Sequence, residues 1–142
     1  MCESISMMDV IGGKDKHMIS EENRLKSFMD WPFSSGQCTR HTVSASGFYH
    51  CNMSGERDGV RCFCCFKELD GWDETDVPLV EHKRNNNCYF ANLGKSQSKL
   101  TIKEFLKVME EREVNLMNKR IEAMIEMEKK TATDLGLNED DN

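Results

Sequence analysis

A chain of 142 residues, 38% hydrophobic and 31% charged, has room for one domain plus an extension, and no apolar run in it approaches membrane-spanning length. A formal net charge of −6 disfavours nonspecific binding to nucleic acid, which needs basic patches, and is compatible with a basic peptide partner. The opening MCESISMMDVIGGKDK carries Glu3 and Asp9 where a secretory leader would be basic, so a cytosolic or nuclear protein is expected.

Residues 1–19 are polar, glycine-containing and aperiodic, and read as a flexible arm. The globular part is expected over 20–93, which holds both tryptophans and six of the seven cysteines: Cys38, Cys51, Cys62, Cys64, Cys65 and Cys88, with only Cys2 outside. An odd number of cysteines in a reducing compartment suggests metal ligation or buried thiols rather than disulfides. SEENRLKSFMDWPF opens with Ser20 and two acids, as a helix start does. Leu25, Phe28 and Met29 form its stripe, and Pro32 ends it. SSGQC is a turn, and TRHTVSASGF a short helix closing at Gly47.

FYHC, VRCFCCF and KELDGW then read as short strands, the first two joined by the polar turn SGERDG. So few short strands bury little apolar surface, and a core of roughly 70 residues is marginal without a staple. From Leu100 the character changes. Thr101 and Glu104 have capping-box spacing, and a run without Pro or Gly reaches about Lys130, on the order of 45 Å of helix. Ile102, Phe105, Leu106 and Met109 make a first apolar face. Val114, Met117, Ile121 and Met124 restart it at 3, 4, 3 spacing, which suits a coiled-coil partner. A linker and long helix are therefore expected over 94–131 and an acidic disordered tail over 132–142.

The staple is legible. Cys62-x2-Cys65, sixteen residues, His82, five residues and Cys88 make a Cys3His set. Two thiolates one turn apart can grip a Zn2+ ion while His82 and Cys88 close the tetrahedron from a following helix. Four protein ligands leave no open position, so one structural ion is expected, supplying on the order of 10 kcal/mol of folding free energy. Cys64 reads as a small packed hydrophobe. The alternatives are that it replaces a ligand, or that the pair is a redox CxxC, for which the βαβ context is lacking. His50-Cys51 is not a nucleophile–base pair, because adjacent strand residues point to opposite faces.

DWPF, SGFYHC, CFCCFKELDGW, VPLVEHK and LTIKEFLK, in this order and spacing, resemble the BIR domain of the inhibitor-of-apoptosis family, in the form with one repeat and a long helix. The resemblance covers roughly residues 20–120. It implies an α+β fold: a small zinc-binding BIR domain with a short three-stranded antiparallel sheet and short helices, then one long C-terminal helix. Three departures stand out. The loop between His82 and Cys88 is one residue shorter than the pattern. Thr39-Arg40 stands where relatives carry Thr-Pro. Val77 stands where an acid would cap the next helix.

The resemblance implies a non-enzymatic adaptor of the chromosomal passenger complex in mitosis and cytokinesis. The long helix would join inner-centromere protein and borealin-like helices, targeting an Aurora-type kinase to centromeres and the spindle midzone. The protein would then occupy nucleus and cytoplasm, and a homodimer is a further possibility. The domain groove would read a histone-three tail carrying a free N-terminus and a phosphothreonine. The alternative is an inhibitor of apoptosis whose groove binds N-terminal peptides of pro-apoptotic antagonists or caspases.

The residues themselves ask for similar chemistry, since acids crowd around Trp72 as an ammonium seat requires. On the resemblance, Asp70 and Asp76 hold the peptide's amino group, Leu69 and Trp72 seat an alanine-sized side chain and Glu68 faces a basic second residue. Lys67 meets the phosphate, whose second ligand falls at Arg84, which can fork onto it, or at Asn85, which would weaken the site, depending on where the loop is shortened. Alone, the same stretch also reads as a solvated acidic turn around a core tryptophan. Ile102, Phe105 and Leu106 are expected to pack on the domain or a second copy, and Val114, Met117, Ile121 and Met124 on partner helices.

Overall fold

The computed structural model of the protein describes residues 4–52 and 57–137. Helix starts follow from side-chain caps. Ser6 and Asp9 box the start of α1 (Met7–Ile11), Ser20 caps α2 (Glu21–Lys26), and Thr39 with Thr42 boxes α3 (Arg40–Ala45). Three short strands follow: β1 (Phe48–His50), β2 (Val60–Cys62) and β3 (Glu68–Leu69), antiparallel in the order β1-β2-β3. Then come α4 (Pro78–Lys83), α5 (Tyr89–Leu93) and the 33-residue α6 (Ile102–Asp134).

The register separates two faces. Tyr49 lies opposite Arg61, and Arg61 opposite Glu68, so the three form one row across the sheet. Arg61 donates to Glu68 at 2.8 Å, to the Tyr49 hydroxyl at 3.2 Å and to the Ile5 carbonyl at 2.7 Å. The other face packs Phe48 against the rings of Trp72 and His82. Gly47 enters β1 at φ +103°, and a Cβ there would lie 3.0 Å from the Phe90 ring and 3.4 Å from His82, so glycine is required both by conformation and by space.

Four sequence expectations change. Residues 4–19 are not a loose arm. Val10, Asp15 and Met18 are buried, and Asp15 grips Arg112 of α6 through both oxygens at 2.9 and 3.0 Å. The segment is held at two places, by its Ile5 carbonyl on Arg61 of the sheet and by Asp15 on Arg112 of α6. Second, α2 stops at Lys26, well short of Pro32, because the Ser27 hydroxyl leaves the helix pattern to accept the His50 N–H of β1. Met29 thus lies outside the helix, 74% exposed.

Third, α6 buries Val108, Arg112 and Leu116, whereas Ile102 and Leu106 are 82% and 62% exposed. The face toward the domain includes a charged residue, which apolar counting passes over. Finally, the helix runs to Asp134 and closes with a left-handed Gly136, Leu137 N–H returning to the Ala132 carbonyl at 2.8 Å. The expected disordered tail thus does not start at 132, and the rest of it, residues 138–142, lies outside the described residues, as do 1–3 and 53–56.

Candidate metal centre and peptide pocket

β2 delivers Cys62 at its last residue, and the chain turns back sharply enough for Cys65 to face it. Phe66, at φ +63°, closes this knuckle, with Phe66 N–H donating to the Cys62 carbonyl and Cys62 N–H to Lys67 O. α4 opens on Pro78 with no side-chain cap at Val77, as the sequence implied, and carries His82 into the interior. Cys88 stands at the head of α5.

The ligand atoms of Cys62, Cys65, His82 and Cys88 all lie within 4.8 Å of one another. Cys62 Sγ is 4.0 Å from Cys88 Sγ, and Cys65 Sγ is 3.4 Å from His82 Nε2. A tetrahedral ion with ordinary zinc bond lengths asks for about 3.8 Å between sulfurs and about 3.6 Å between sulfur and nitrogen. The set therefore fits one metal ion.

His82 Nδ1 donates to the Ser46 carbonyl at 2.8 Å, which fixes the tautomer and leaves Nε2 for the metal. Asn86 donates to Cys65 Sγ at 3.5 Å and to the His82 carbonyl at 3.1 Å, so the shortened loop contributes its own support. Burial and the neighbouring thiols push Cys62 far up, while hydrogen bonds from Cys62, Cys64 and Cys65 hold Cys88 far below the usual thiol range. A bound divalent cation would hold all three sulfurs as thiolates.

Cys64 is fully buried and directed toward α6, its thiol 3.8 Å from the Val108 carbonyl. It stands outside the four-donor set, as a packed thiol. His50 and Cys51 are also apart in role. The His50 ring donates to Arg57 O, and the Cys51 thiol is buried, pushed up to about 11 by that burial.

On the outer side of Trp72, a depression of about 120 Å3 is lined by Leu69, Asp70, Gly71, Trp72, Asp76 and Glu81. Four of the expected peptide residues meet there: Leu69, Asp70, Trp72 and Asp76. Asp58 accepts from Trp72 N–H at 2.8 Å, and Asp76 accepts from Asp73 N–H at 2.8 Å, fixing both floor and rim. The Trp72 indole Nε1–H is buried and has no hydrogen-bond partner among the described residues.

The other three expected residues carry protein contacts instead. Glu68 pairs with the buried Arg61. Lys67 Nζ donates to the Glu81 and Arg84 carbonyls at 3.0 and 2.7 Å, closing the end of α4. Arg84 forks onto both oxygens of Glu81 at 3.1 and 3.0 Å, which holds the Glu81 carboxyl below its usual range. Glu81 itself was missed by sequence reasoning. Its one signal is its place beside His82, on a helix already pinned by the metal.

Residues 24–92 match the family described as "BIR: Inhibitor of Apoptosis domain". Baculoviral IAP repeat-containing protein 5 of Cavia porcellus is 42% identical over 101 residues, 70% of this chain and 71% of that protein. Its counterpart in Rattus norvegicus is 38% identical, over 72% of this chain and 73% of the other. Protein 5.2 of Xenopus tropicalis is 41% identical, over 72% and 67%. A solved structure of DIAP1 BIR1 bound to a Grim peptide is 29% identical at a TM-score of 0.45, covering 60% of this chain and 82% of that one. With a Cys3His cluster, a three-stranded sheet, a long closing helix and relatives of this kind, the chain belongs to the inhibitor-of-apoptosis family, in its survivin branch.

Proposed function

We propose that this protein is a non-enzymatic adaptor of the chromosomal passenger complex, a BIR reader stapled by one Zn2+ ion and carried on an assembly helix. The observation that carries this reading is the outer face of α6. Val114, Met117, Ile121 and Met124 are 52%, 54%, 47% and 70% exposed at coiled-coil spacing, along a helix of roughly 50 Å. A helix serving only the domain has no reason to present such a seam. Inner-centromere protein and borealin-like helices are the proposed occupants, bringing an Aurora-type kinase to centromeres and the spindle midzone. Ile102, Phe105 and Leu106, nearer the domain, form the proposed surface for a second copy.

The pocket at Trp72 is the proposed seat for the free N-terminus of a histone-three tail. Asp70 and Asp76 stabilise an ammonium, Leu69 and the indole accept a small side chain, and Glu81, paired with Arg84, borders the same depression. For phosphothreonine, Lys67 retains one of its three N–H donors, whereas Arg84 must first leave Glu81. Amine recognition therefore outweighs phosphate recognition. As to catalysis, four protein donors fill a tetrahedral ion, leaving no position for substrate.

Two measurements test the reading. In titration with an Ala-Arg-phosphothreonine peptide, N-acetylation is expected to abolish binding and removal of the phosphate to weaken it less. Equal binding after acetylation would sink the reader proposal. In pull-downs, Met117→Asp with Ile121→Asp is expected to lose both partner helices, and retention of both would sink the adaptor proposal. Binding of antagonist N-termini irrespective of phosphate would favour the apoptosis-inhibitor alternative.

A further inference from the structure

The two residues between Cys62 and Cys65 contribute the peptide units that face the first ligand. Cys64 N–H donates to Cys62 Sγ at 3.2 Å and Cys65 N–H donates to the same sulfur at 3.5 Å. Each planar peptide unit carries its carbonyl on the opposite side, and both of those carbonyls are taken by α6. Phe63 O, in one plane with Cys64 N–H, accepts from Arg112 Nη1 at 2.6 Å. Cys64 O, in one plane with Cys65 N–H, accepts from Asn115 Nδ2 at 3.0 Å. Arg112 and Asn115 are i, i+3 neighbours, so a single helix face presents both donors. Asp15 grips the guanidinium from the far side, and Arg112 lies 5.2 Å over the Phe66 ring.

We propose that Arg112 and Asn115 are positioning residues of the metal centre, holding from the long helix the two peptide units that solvate the Cys62 thiolate. This rests on the cluster being a metal site. A donor on each carbonyl fixes the tilt of the plane and polarises the N–H at its other end, strengthening its bond to sulfur. Plain helix docking does not account for the arrangement, since Val108 and Leu116 on the same face already supply apolar contact. Outer contacts of this kind, when removed, typically cost ten- to a hundredfold in metal retention.

The test uses the full chain loaded with Zn2+ for the rate of metal loss to a chelator, and with Co2+ for the thiolate-to-metal charge-transfer band. Asn115→Leu is expected to lose Zn2+ about tenfold faster and to move the band to lower energy, because a less solvated sulfur gives up charge more readily. Arg112→Met combined with Asp15→Asn, which leaves no charge alone, is expected to do the same. Leu116→Ala is expected to lower the melting midpoint and leave the band in place. If Asn115→Leu matched the parent in rate and band, or Leu116→Ala moved the band as far, the proposal would be overturned. Should the double variant fail to fold, Asn115→Leu decides, since that side chain is only half-buried. A parent chain that took up neither ion would overturn the metal reading, and this proposal with it.

Discussion

At Trp72 the neighbouring acids divide into two kinds, which the sequence presents as one acidic run. Asp76 lines the depression, whereas Glu68 is committed to Arg61, a cation 97% buried by the sheet and the amino-terminal segment. Asp76→Asn is therefore expected to weaken a free-amine peptide at least about tenfold with little change in melting midpoint, as loss of a charged hydrogen-bond partner does. Glu68→Gln should do the reverse, costing about 1–3 kcal/mol in chemical denaturation with peptide affinity nearly intact. The buried cysteines give a pH prediction. Burial pushes the Cys51 thiol up to about 11. Burial, then the Asp76, Asp58 and Asp73 carboxylates, push Cys38 up to about 12. An unfolded thiol ionises near about 8.5, so above that pH the unfolded chain holds fewer protons than the folded one. Stability is then whole below about pH 8.5 and falls as pH rises toward 11. Urea midpoints across this range should show a smaller fall for Cys51→Ala.

Among the elements, α6 was the most legible and α2 the least. Thr101 and Glu104 form the expected box, Thr101 N–H to the Glu104 carboxylate at 3.0 Å and Glu104 N–H to the Thr101 hydroxyl at 3.1 Å. Thr101→Ala should cost about 1 kcal/mol by thermal melting and leave the metal centre unchanged. Local rules sufficed there because cap and period lie within one segment. They failed at α2, where a contact from β1 to Ser27 ends the helix before Pro32 can. They failed again for the inward face of α6, because Arg112 is apolar by environment rather than by type: it is matched by Asp15 from 97 residues away.

In the whole molecule, that ion pair ties the amino-terminal segment, the metal knuckle and the long helix into one body. Both side chains are buried, Asp15 at 0% and Arg112 at 1% exposed. Asp15→Ala leaves a cation buried without its partner and is expected to cost about 3–5 kcal/mol in chemical denaturation. Replacing both together, Asp15→Leu with Arg112→Met, should cost clearly less, since the desolvation of two charges is recovered along with the loss of their attraction. Equal losses for the single and double changes would show that the pair does not act as an ion pair.

The sequence by itself determined the metal donors, the strands, the capped long helix and its outward seam. Each is written in spacing: ligands at fixed intervals, side chains alternating on a strand or recurring along a helix. Only the tertiary structure decided that the first residues pack, that Glu68, Lys67 and Arg84 are occupied by their own chain, and that Glu81 joins Asp70 and Asp76 at the pocket. Those assignments depend on which distant group reaches a charge first. Spacing along the chain does not record that competition, because partners such as Asp15 and Arg112 meet only when the fold has closed.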